Sequence, residues 1–410
     1  MDFSDTPAEA TFRAEARAFL SANAKLKTVE ARQYRSRALE PEDIAASKAW
    51  QATKAAASFA GFHWPTQYGG RDGAQMQAII FAQEEDRYDV PPSIFNQSVG
   101  MAIPTIMAWG RPDQIQRFAR PALHGEELWC QLFSEPGAGS DLAGLRTSAW
   151  REGDDWVISG QKTWTSNAHF AQWAMLVARS DADVPKHKGL TFFILDMSLP
   201  GIEVRRIRQM SGTSNFCEVF LNEVRTPDSA RLGEVGDGWK VALTMLSNER
   251  FVVGQAEGPD VEDILAFVTD LELDDRPAIE DAAVREKIAA WWVQAQGLKY
   301  TRLRTQTALS RGKTPGPEAS IAKLVSATKL QQIASYGVDL LGQAGAVMEG
   351  DGAPLNAWFQ EALLYAPGKR IAGGADEILR NIIAERVLGL PPDVRADKDL
   401  PFSKIPTSRR

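Results

Sequence analysis

The first residues that could do chemistry form a turn after a strand-like run. They lie in the stretch Gln131–Asp141, which reads QLFSEPGAGSD. Gly137 and Gly139 predict a loop with positive φ, because glycine adopts that backbone region without steric cost. Such a loop leaves backbone N–H groups free to face a ligand, and Ser134 and Ser140 add short hydroxyls. Taken alone, a glycine turn beside a strand is most often only a turn.

A second stretch, Gly160–Asn167, reads GQKTWTSN and also lies at a strand end. Its Trp164 supplies a flat aromatic surface that could lie against a planar ring, and Ser166 supplies a hydroxyl. Thr163 and Thr165 alternate with Trp164 and are expected to face the opposite side of the strand. Core packing is the alternative interpretation of Trp164.

Together, in this order and at this spacing, the two stretches resemble the flavin-binding signatures of the acyl-CoA dehydrogenase family. The resemblance extends over the chain to about residue 391 and implies FAD as the cofactor. It implies that Ser134 contacts the pyrimidine end of the isoalloxazine, that Trp164 lies against the ring system, and that Ser166 hydrogen-bonds near N5, the hydride acceptor. The further cofactor contacts that it implies are Phe133, Gly139, Ser140, Thr165, Arg276, Gly342, Gly345, Ala375 and Glu377.

The elements that must position these residues change character along the chain. Residues 1–125 and 233–391 show helical periodicity, residues 126–232 hold short β-rich runs, and a tail follows at 392–410. The β-rich runs are 156–159, 172–178, 190–195, 202–207 and 216–224. This order predicts an α+β protein. The resemblance implies the acyl-CoA dehydrogenase fold, with an N-terminal helical domain, a middle β-domain and a C-terminal four-helix bundle. The proline-punctuated tail is expected to be poorly ordered.

The family's reaction needs a general base, and the resemblance offers two positions for it. Most members carry a glutamate near the C-terminus, where this chain has Gly373, and Asp376 and Glu377 follow only in the next helical turn. A minority, the isovaleryl-CoA and long-chain types, carry it on an earlier helix, where this chain has Glu249 followed by Arg250. The resemblance therefore implies that Glu249 takes the α-proton of an acyl-CoA thioester while the β-hydride passes to N5. It also assigns Arg250 to a contact with substrate or cofactor.

The sequence around Glu249 is independently suggestive. Trp239, Ala242, Leu246 and Glu249 recur at helical spacing, so Glu249 is expected on the apolar stripe of its helix. Burial among apolar side chains raises the pKa of a carboxyl toward the range that a general base needs. The alternative is an arginine-paired structural glutamate at a helix end, which is the ordinary case for Glu-Arg pairs.

Gly373 and Gly374 are assigned to substrate binding, together with Ser140 and Arg250. In relatives, the backbone N–H at the Gly373 position and a flavin hydroxyl bind the thioester oxygen and stabilise the enolate. The N–H survives replacement of glutamate by glycine. The lost bulk predicts a wider pocket, suited to long, branched or ring-bearing acyl groups. A bare helix-entry turn is the alternative for these glycines.

Two motifs that bind the FAD tail in homo-oligomeric relatives are incomplete in this chain. Arg276 matches the first motif, but the Phe and Gly that should follow it are missing. The second survives as DLLGQAG, with Asp339 in place of glutamine, and Ala375 replaces the usual Thr or Ser. The resemblance implies a dimer or tetramer of this chain. The incomplete motifs favour, as the alternative, pairing with a second acyl-CoA dehydrogenase-like chain, with complete FAD sites formed only across the interface.

Composition argues against several other classes of function. A net charge of −7 and a pI near 5.4 argue against a nucleic-acid partner, and so against the DNA-associated branch of the same fold. No apolar run reaches the roughly 18–20 residues of a membrane span, and the four histidines lack metal-ligand spacing, so no metal is assigned. Cys130 and Cys217 are expected to be buried thiols, which are typical of a reducing, cytoplasmic compartment.

The leading prediction is an acyl-CoA dehydrogenase that passes electrons to an electron-transfer flavoprotein. An acyl-CoA oxidase, a flavin-dependent monooxygenase and a catalytically silent partner subunit are alternatives on the same fold. Glu249 counts against the monooxygenase, because such relatives generally lack the catalytic glutamate. An oxidase stays open, since oxygen access depends on the shape of the cavity.

Overall fold

The computed structural model describes residues 4–27, 39–252, 258–310, 316–317, 319–350, 352–394 and 397–405. Side chains are described in these ranges except at residues 249–252, 309, 310 and 319. The α-helices are α1 (Pro7–Asn23), α2 (Pro41–Ala56), α3 (Gln75–Glu85), α4 (Ile103–Trp109), α5 (Pro112–Leu123), α6 (Gly238–Val252), α7 (Val261–Asp270), α8 (Ala282–Ser310), α9 (Ala319–Leu340), α10 (Trp358–Ile371) and α11 (Asp376–Ile382).

The β-strands are β1 (Lys25–Leu26), β2 (Tyr88–Asp89), β3 (Trp129–Leu132), β4 (Ser148–Glu152), β5 (Asp155–Ser166), β6 (Trp173–Arg179), β7 (Leu190–Asp196), β8 (Ile202–Ile207), β9 (Phe216–Pro227), β10 (Arg231–Leu232), β11 (Glu272–Leu273) and β12 (Arg276–Pro277). The main sheet has the order β10-β7-β6-β4-β5-β9-β8, and β3 pairs with β6 in parallel. β1 with β2 and β11 with β12 form short antiparallel pairs. The ends of β3 and β5 carry the two motif stretches.

By its internal contacts the chain divides into two compact units, each discontinuous in sequence. The helical unit consists of Met1–Arg37, Ala74–Asp89 and Val253–Pro392. The sheet unit consists of Ala38–Gly73, Val90–Val252 and Asp393–Arg410. The sequential boundaries at residues 125, 232 and 391 stay a prediction.

The main sheet is apolar on both faces, because successive side chains of a strand point to opposite sides. On one face, Phe192 of β7 shares a core with Val241 and Met245 of α6. On the other face, Phe193 packs against Trp156, with ring centroids 5.3 Å apart. Burial on both faces explains why β6 and β7 read as continuous hydrophobic runs.

The helical unit has a core of its own. Ile264 of α7, Ile288 of α8 and Ile333 of α9 share it with Phe359 of α10. Helices α9 and α10 approach closely at Gly337, where a Cβ would come within 2.5 Å of the Phe359 ring. The glycine is therefore required by packing at this helix crossing.

The structure confirms the α+β class and the helical–β–helical order along the chain. Each β-rich run predicted from the sequence lies on a strand of the main sheet, from β5 to β9. The pattern misses β4, whose sequence SAWRE is mostly polar because its side chains are largely exposed. Both cysteines are free and buried, which confirms that prediction.

The expectation of a poorly ordered tail is wrong for residues 397–405. Asp397 forms an ion pair with Lys186, and Pro401 pairs with Pro185 as an isolated β-bridge. Residues Phe402–Lys404 form a short 3-10 turn. These contacts are long-range in the sequence, so a polar, proline-rich composition does not reveal them.

Candidate functional site

The two motif stretches lie side by side in the sheet unit. The Thr163 N–H donates to the carbonyl oxygen of Ser134 at 2.9 Å. The Lys162 Nζ donates to the carbonyl oxygen of Phe133 at 3.0 Å. These bonds join the end of β3 to the end of β5, and the two stretches therefore form one local structure.

Trp164 is held out of the sheet by a bulge in β5. The register with β9 shifts between Lys162 and Thr165, and Trp164 has a φ of 59°. Left-handed backbone is costly for a bulky residue, and such strain is often found at functional sites. Trp164 is 59% exposed, whereas Thr163 and Thr165 on either side are buried. The alternative of core packing is therefore wrong, and a planar ligand could lie against the indole.

The loop after β3 is closed by a turn. The Glu135 N–H donates to the carbonyl oxygen of Ala138 at 3.0 Å, and the Ala138 N–H donates back to that of Glu135 at 3.0 Å. A Cβ on Gly137 or Gly139 would meet no atom within 4 Å, so both glycines face open space. The predicted positive φ is wrong for both of them. The left-handed strain lies at Trp164 instead.

Glu135 and Lys162 form a buried ion pair under this loop, with Nζ 2.9 Å from Oε1. Glu135 also accepts from the backbone N–H groups of Arg146 at 2.6 Å and Thr147 at 2.9 Å. Burial lowers the pKa of Lys162 to about 8. Burial acts to raise the pKa of Glu135, but the charge of Lys162 and the hydrogen bonds from Thr147 and Arg146 lower it overall. The pair fixes the backbone that carries both motif stretches.

Several buried polar atoms in and beside the second motif stretch lack a hydrogen-bond partner. Within the described residues, Thr165 Oγ1, Asn167 Oδ1 and Asn215 Oδ1 are buried and find no hydrogen-bond partner. Buried polar groups are nearly always satisfied, so such a cluster is unusual. Ser166 lies among them in the chain and is half-buried.

The predicted cofactor residues of the sheet unit differ in what they can present to a ligand. Phe133 and Thr165 have buried side chains, so only their backbone groups can reach a cofactor. Ser134 is half-buried, and Gly139 and Ser140 are exposed. The exposed positions thus belong to the open loop after β3.

Helix α6 carries Glu249 and Arg250, whose side chains lie outside the described residues. The predicted apolar stripe is present up to that point. Ala242 is buried, and Trp239 and Leu246 pack against the core of the sheet unit. The role of Glu249 as the general base therefore stays a prediction. The apolar stripe of its helix is as predicted up to Leu246.

The end of α6 is tied to α4 by two hydrogen bonds. The Asn248 Nδ2 donates to Thr105 Oγ1 at 3.3 Å. The Trp109 Nε1 donates to Thr244 Oγ1 at 2.9 Å. A side chain on this helix is therefore carried by a fixed element of the sheet unit, which suits a catalytic group.

In the helical unit, Gly373 and Gly374 form a left-handed turn between α10 and α11. Their φ values are 64° and 98°, a region that glycine enters without steric cost. A glutamate at the Gly373 position would be strained in this backbone. The turn geometry therefore agrees with the absence of a catalytic carboxylate at this position of the sequence.

Charged side chains hold this turn. The Lys323 Nζ donates to the carbonyl oxygen of Gly374 at 2.6 Å, and burial lowers the pKa of Lys323. The Arg370 Nε donates to the buried Asp376 Oδ2 at 2.6 Å, and Lys323 lies 3.8 Å from Oδ1 of the same carboxylate. Asp376 is thus engaged in holding the turn.

The residues predicted to bind the FAD tail lie in the helical unit. Arg276 is exposed and its Nη2 is 4.0 Å from the Asp281 carboxylate. Gly342 follows α9 with a φ of 55°. Gly345 is buried, and a Cβ there would come within 2.6 Å of the Val338 carbonyl oxygen. Both glycines are thus required by the local backbone, with or without a cofactor.

The positions where this chain departs from the family are accessible. Asp339 lines a cavity of about 580 Å³ together with Lys287, Ser335 and Arg370. Ala375 is the N-cap of α11, and its methyl group cannot accept a hydrogen bond from the first N–H groups of the helix. Glu377 is exposed in the first turn of the same helix.

Sequence reasoning missed three charged residues that hold predicted site residues in place, two in the sheet unit and one in the helical unit. Glu135 and Lys162 are opposite charges inside the two motif stretches, and this signal could have revealed the pair. Lys323 gives no such signal, because its contact with Gly374 joins positions 51 residues apart.

Among the described residues, no helix is long and apolar enough to cross a membrane. The same part of the chain holds no group of three His, Cys, Asp or Glu side chains that could bind a metal ion. His169 instead faces Cys217, with Nδ1 3.3 Å from Sγ. Burial lowers the pKa of His169 to about 4, so this imidazole is neutral near pH 7.

Three consecutive segments of the chain match three domains of one protein family. Residues 6–126 match the acyl-CoA dehydrogenase N-terminal domain, residues 130–224 the middle domain, and residues 236–388 the C-terminal domain. These matches confirm the resemblance and the fold predicted from the sequence.

Similar proteins include two from Mycobacterium tuberculosis (strain ATCC 25618 / H37Rv). The acyl-CoA dehydrogenase FadE34 is 40% identical over 333 residues, which are 80% of this chain but 44% of that protein. The acyl-CoA dehydrogenase IpdE1 is 35% identical over 385 residues, 94% of this chain and 98% of that protein. The solved structure of the Tcur3481-Tcur3483 steroid ACAD has a TM-score of 0.77 and 25% identity, covering 96% of this chain and all of that one (100%).

Proposed function

Because the chain belongs to the acyl-CoA dehydrogenase family, we propose that it introduces a double bond between the α- and β-carbons of an acyl-CoA thioester with FAD as its cofactor. The flavin, when bound, would supply the hydride acceptor for the β-carbon. The observation that carries the proposal is the bulge in β5, which holds the indole of Trp164 exposed beside the open loop after β3.

The residues around Trp164 fit an isoalloxazine ring. Its edge carries carbonyl and N–H groups that need polar partners, and the side chains of Asn167 and Asn215, which are half-buried and have unpaired oxygens, are such partners. Gly137 and Gly139 leave open space in which backbone could approach the ring closely. The buried pair below the loop holds this surface in place without a ligand, so little ordering is needed on binding.

The resemblance to the family supplies the other proposed roles. Glu249 would take the α-proton, and Arg250 and Ser140 would contact the acyl-CoA. The Gly373 N–H would donate to the thioester oxygen and stabilise the enolate as the proton leaves. The clamp of Lys323, Arg370 and Asp376 would keep that N–H in place.

Trp164→Ala is expected to weaken flavin binding about tenfold, the loss of one good stacking contact. The side chain is exposed, so the melting temperature of the flavin-free protein should stay nearly unchanged. The dissociation constant can be measured by titrating the flavin-free protein with FAD. Trp150→Ala, which removes an exposed tryptophan of β4, is the matched control. Equal flavin affinity in both variants would remove Trp164 from the site.

A second candidate is one subunit of a heteromeric dehydrogenase, paired with a different acyl-CoA dehydrogenase-like chain. Asp339 in an accessible cavity and the alanine N-cap at Ala375 favour it, because both replace polar groups that would hold the FAD tail. The steroid ACAD is named for two proteins, Tcur3481 and Tcur3483, which fits a pairing of different chains. The alternative is a dimer or tetramer of this chain alone.

Expression of the chain alone separates the two candidates. We expect less than one FAD per chain for the subunit of a heteromer, and one FAD per chain for a self-sufficient enzyme. An anaerobic titration with acyl-CoAs, followed by flavin absorbance, then identifies the substrate. We propose a ring-bearing or long branched acyl group, supported by the open Gly373 position and by the steroid ACAD. A full flavin complement with bleaching by short straight chains alone would contradict both proposals.

The acceptor and the location complete the proposal. We propose that an electron-transfer flavoprotein reoxidises the flavin. Stopped-flow kinetics test this proposal by comparing the rate at which that flavoprotein reoxidises the reduced flavin with the rate at which O2 does. Two free, buried cysteines suit a reducing compartment and support a cytoplasmic location.

A further inference from the structure

The tail residues 397–405, here called the C-terminal strap, form backbone contacts with the loop between β6 and β7. The Phe402 N–H donates to the carbonyl oxygen of Val184 at 2.9 Å. The Ser403 N–H donates to that of Ala182 at 2.8 Å. The strap therefore packs a short 3-10 turn against this loop of the sheet unit.

A first connection runs from the strap to the segment that follows the motif loop. The guanidinium carbon of Arg179 lies 3.5 Å from the centroid of the Phe402 ring. Arg179 is buried and donates to the carbonyl oxygens of Ala143 at 2.6 Å and Leu145 at 3.1 Å. The ring of Phe402 thus covers the cation that fixes the backbone after the loop. Arg146 directly follows Leu145, and its guanidinium carbon lies 5.3 Å from the centroid of the same Phe402 ring.

A second connection runs from the strap to the loop itself. The Lys186 Nζ is 2.8 Å from Asp397 Oδ2 and 2.9 Å from Asp141 Oδ2. Lys186 is mostly buried, whereas the Asp141 side chain is 62% exposed. Asp141 directly follows Ser140, which is assigned to the acyl-CoA. One ammonium group therefore joins the strap to the residue next to the substrate contact.

We propose that Asp397 and Phe402 are positioning residues for acyl-CoA binding, which the strap secures by ordering residues 140–146. The inference rests on the proposed function for the role of Ser140. A loop that is ordered before binding loses less conformational entropy when the ligand arrives. The strap therefore acts on substrate affinity, while the proton and hydride transfers take place at other residues.

The test is the double variant Asp397→Asn with Phe402→Ala in the full chain, with its partner chain if one is required. We expect KM for the acyl-CoA to rise about fivefold to tenfold, with kcat and flavin content unchanged. Backbone amides of residues 141–147 should exchange hydrogen faster, whereas those of α9 should not. Lys404→Ala is the matched control, because Lys404 is an exposed residue of the same strap.

Two results would overturn the inference. One is a double variant whose KM and amide exchange equal those of Lys404→Ala. The other is a variant that loses flavin or melts at a much lower temperature, because the strap would then have a general structural role. Hydrogen exchange needs no substrate, so it tests the connection to residues 141–147 even if the wild-type chain turns over no acyl-CoA. Failure of the proposed function would be visible in the wild type, separately from the strap.

Discussion

Replacing Glu249 with glutamine is expected to lower kcat about a thousandfold, within the range that a positioned general base contributes. Glutamine keeps the size and polarity of the side chain but cannot accept the α-proton. The flavin spectrum and the affinity for acyl-CoA should stay close to those of the wild type, because neither depends on proton transfer. Anaerobic stopped-flow reduction of the flavin by excess acyl-CoA measures the step directly.

Other carboxylates provide the controls. Glu377→Gln removes an exposed carboxylate next to the Gly373 turn. Because Glu377 is also an implied cofactor contact, its kcat is compared per bound flavin and should stay within about twofold of the wild type. Asp376 is buried and bound by Arg370, so its replacement would disturb the turn. Normal turnover of Glu249→Gln in the assembled enzyme would exclude Glu249 as the base. Loss of turnover in Glu377→Gln, with flavin still bound, would instead assign the catalytic base to Glu377, beside the Gly373 turn.

Local sequence patterns predicted much of the architecture. The β-rich runs become strands, and the apolar stripe of Trp239, Ala242 and Leu246 is buried as expected, because alternation and helical spacing are set by the elements themselves. The family motifs also predicted that the ends of β3 and β5 act together. The hydrogen bond between Thr163 and Ser134 provides the physical reason.

What the sequence did not predict depends on pairing between distant segments. Gly137 and Gly139 were natural positions for positive φ, yet the left-handed residue is Trp164. Its conformation follows from a register shift against β9, which no local pattern encodes. The strap is similar, since Phe402 packs against Arg179, a residue of β6 that is distant in the sequence.

Lys162→Met is expected to lower the free energy of unfolding by about 3–5 kcal/mol, the usual effect of removing one partner from a buried ion pair. Glu135 would keep its hydrogen bonds from Arg146 and Thr147 but lose the opposite charge 2.9 Å away. A loss of this size is a large part of the roughly 5–15 kcal/mol that stabilises a typical domain. Flavin binding should fall as well, because the same ammonium holds the Phe133 carbonyl at the start of the motif loop. Urea unfolding of the flavin-free protein and FAD titration measure the two effects.

Two variants show whether the burial of charge is the cause. Arg205→Met breaks an exposed pair with Glu203 and should leave the free energy of unfolding nearly unchanged, as is usual for surface pairs. The double variant Lys162→Met with Glu135→Gln should recover part of the stability, because no charge is then left buried without a partner. The loop would still lack the bond to Phe133, so flavin affinity should recover less than stability does. If the double variant were as unstable as Lys162→Met alone, the loss would come from packing around the methionine, and the ion pair would not be what fixes the two motif stretches.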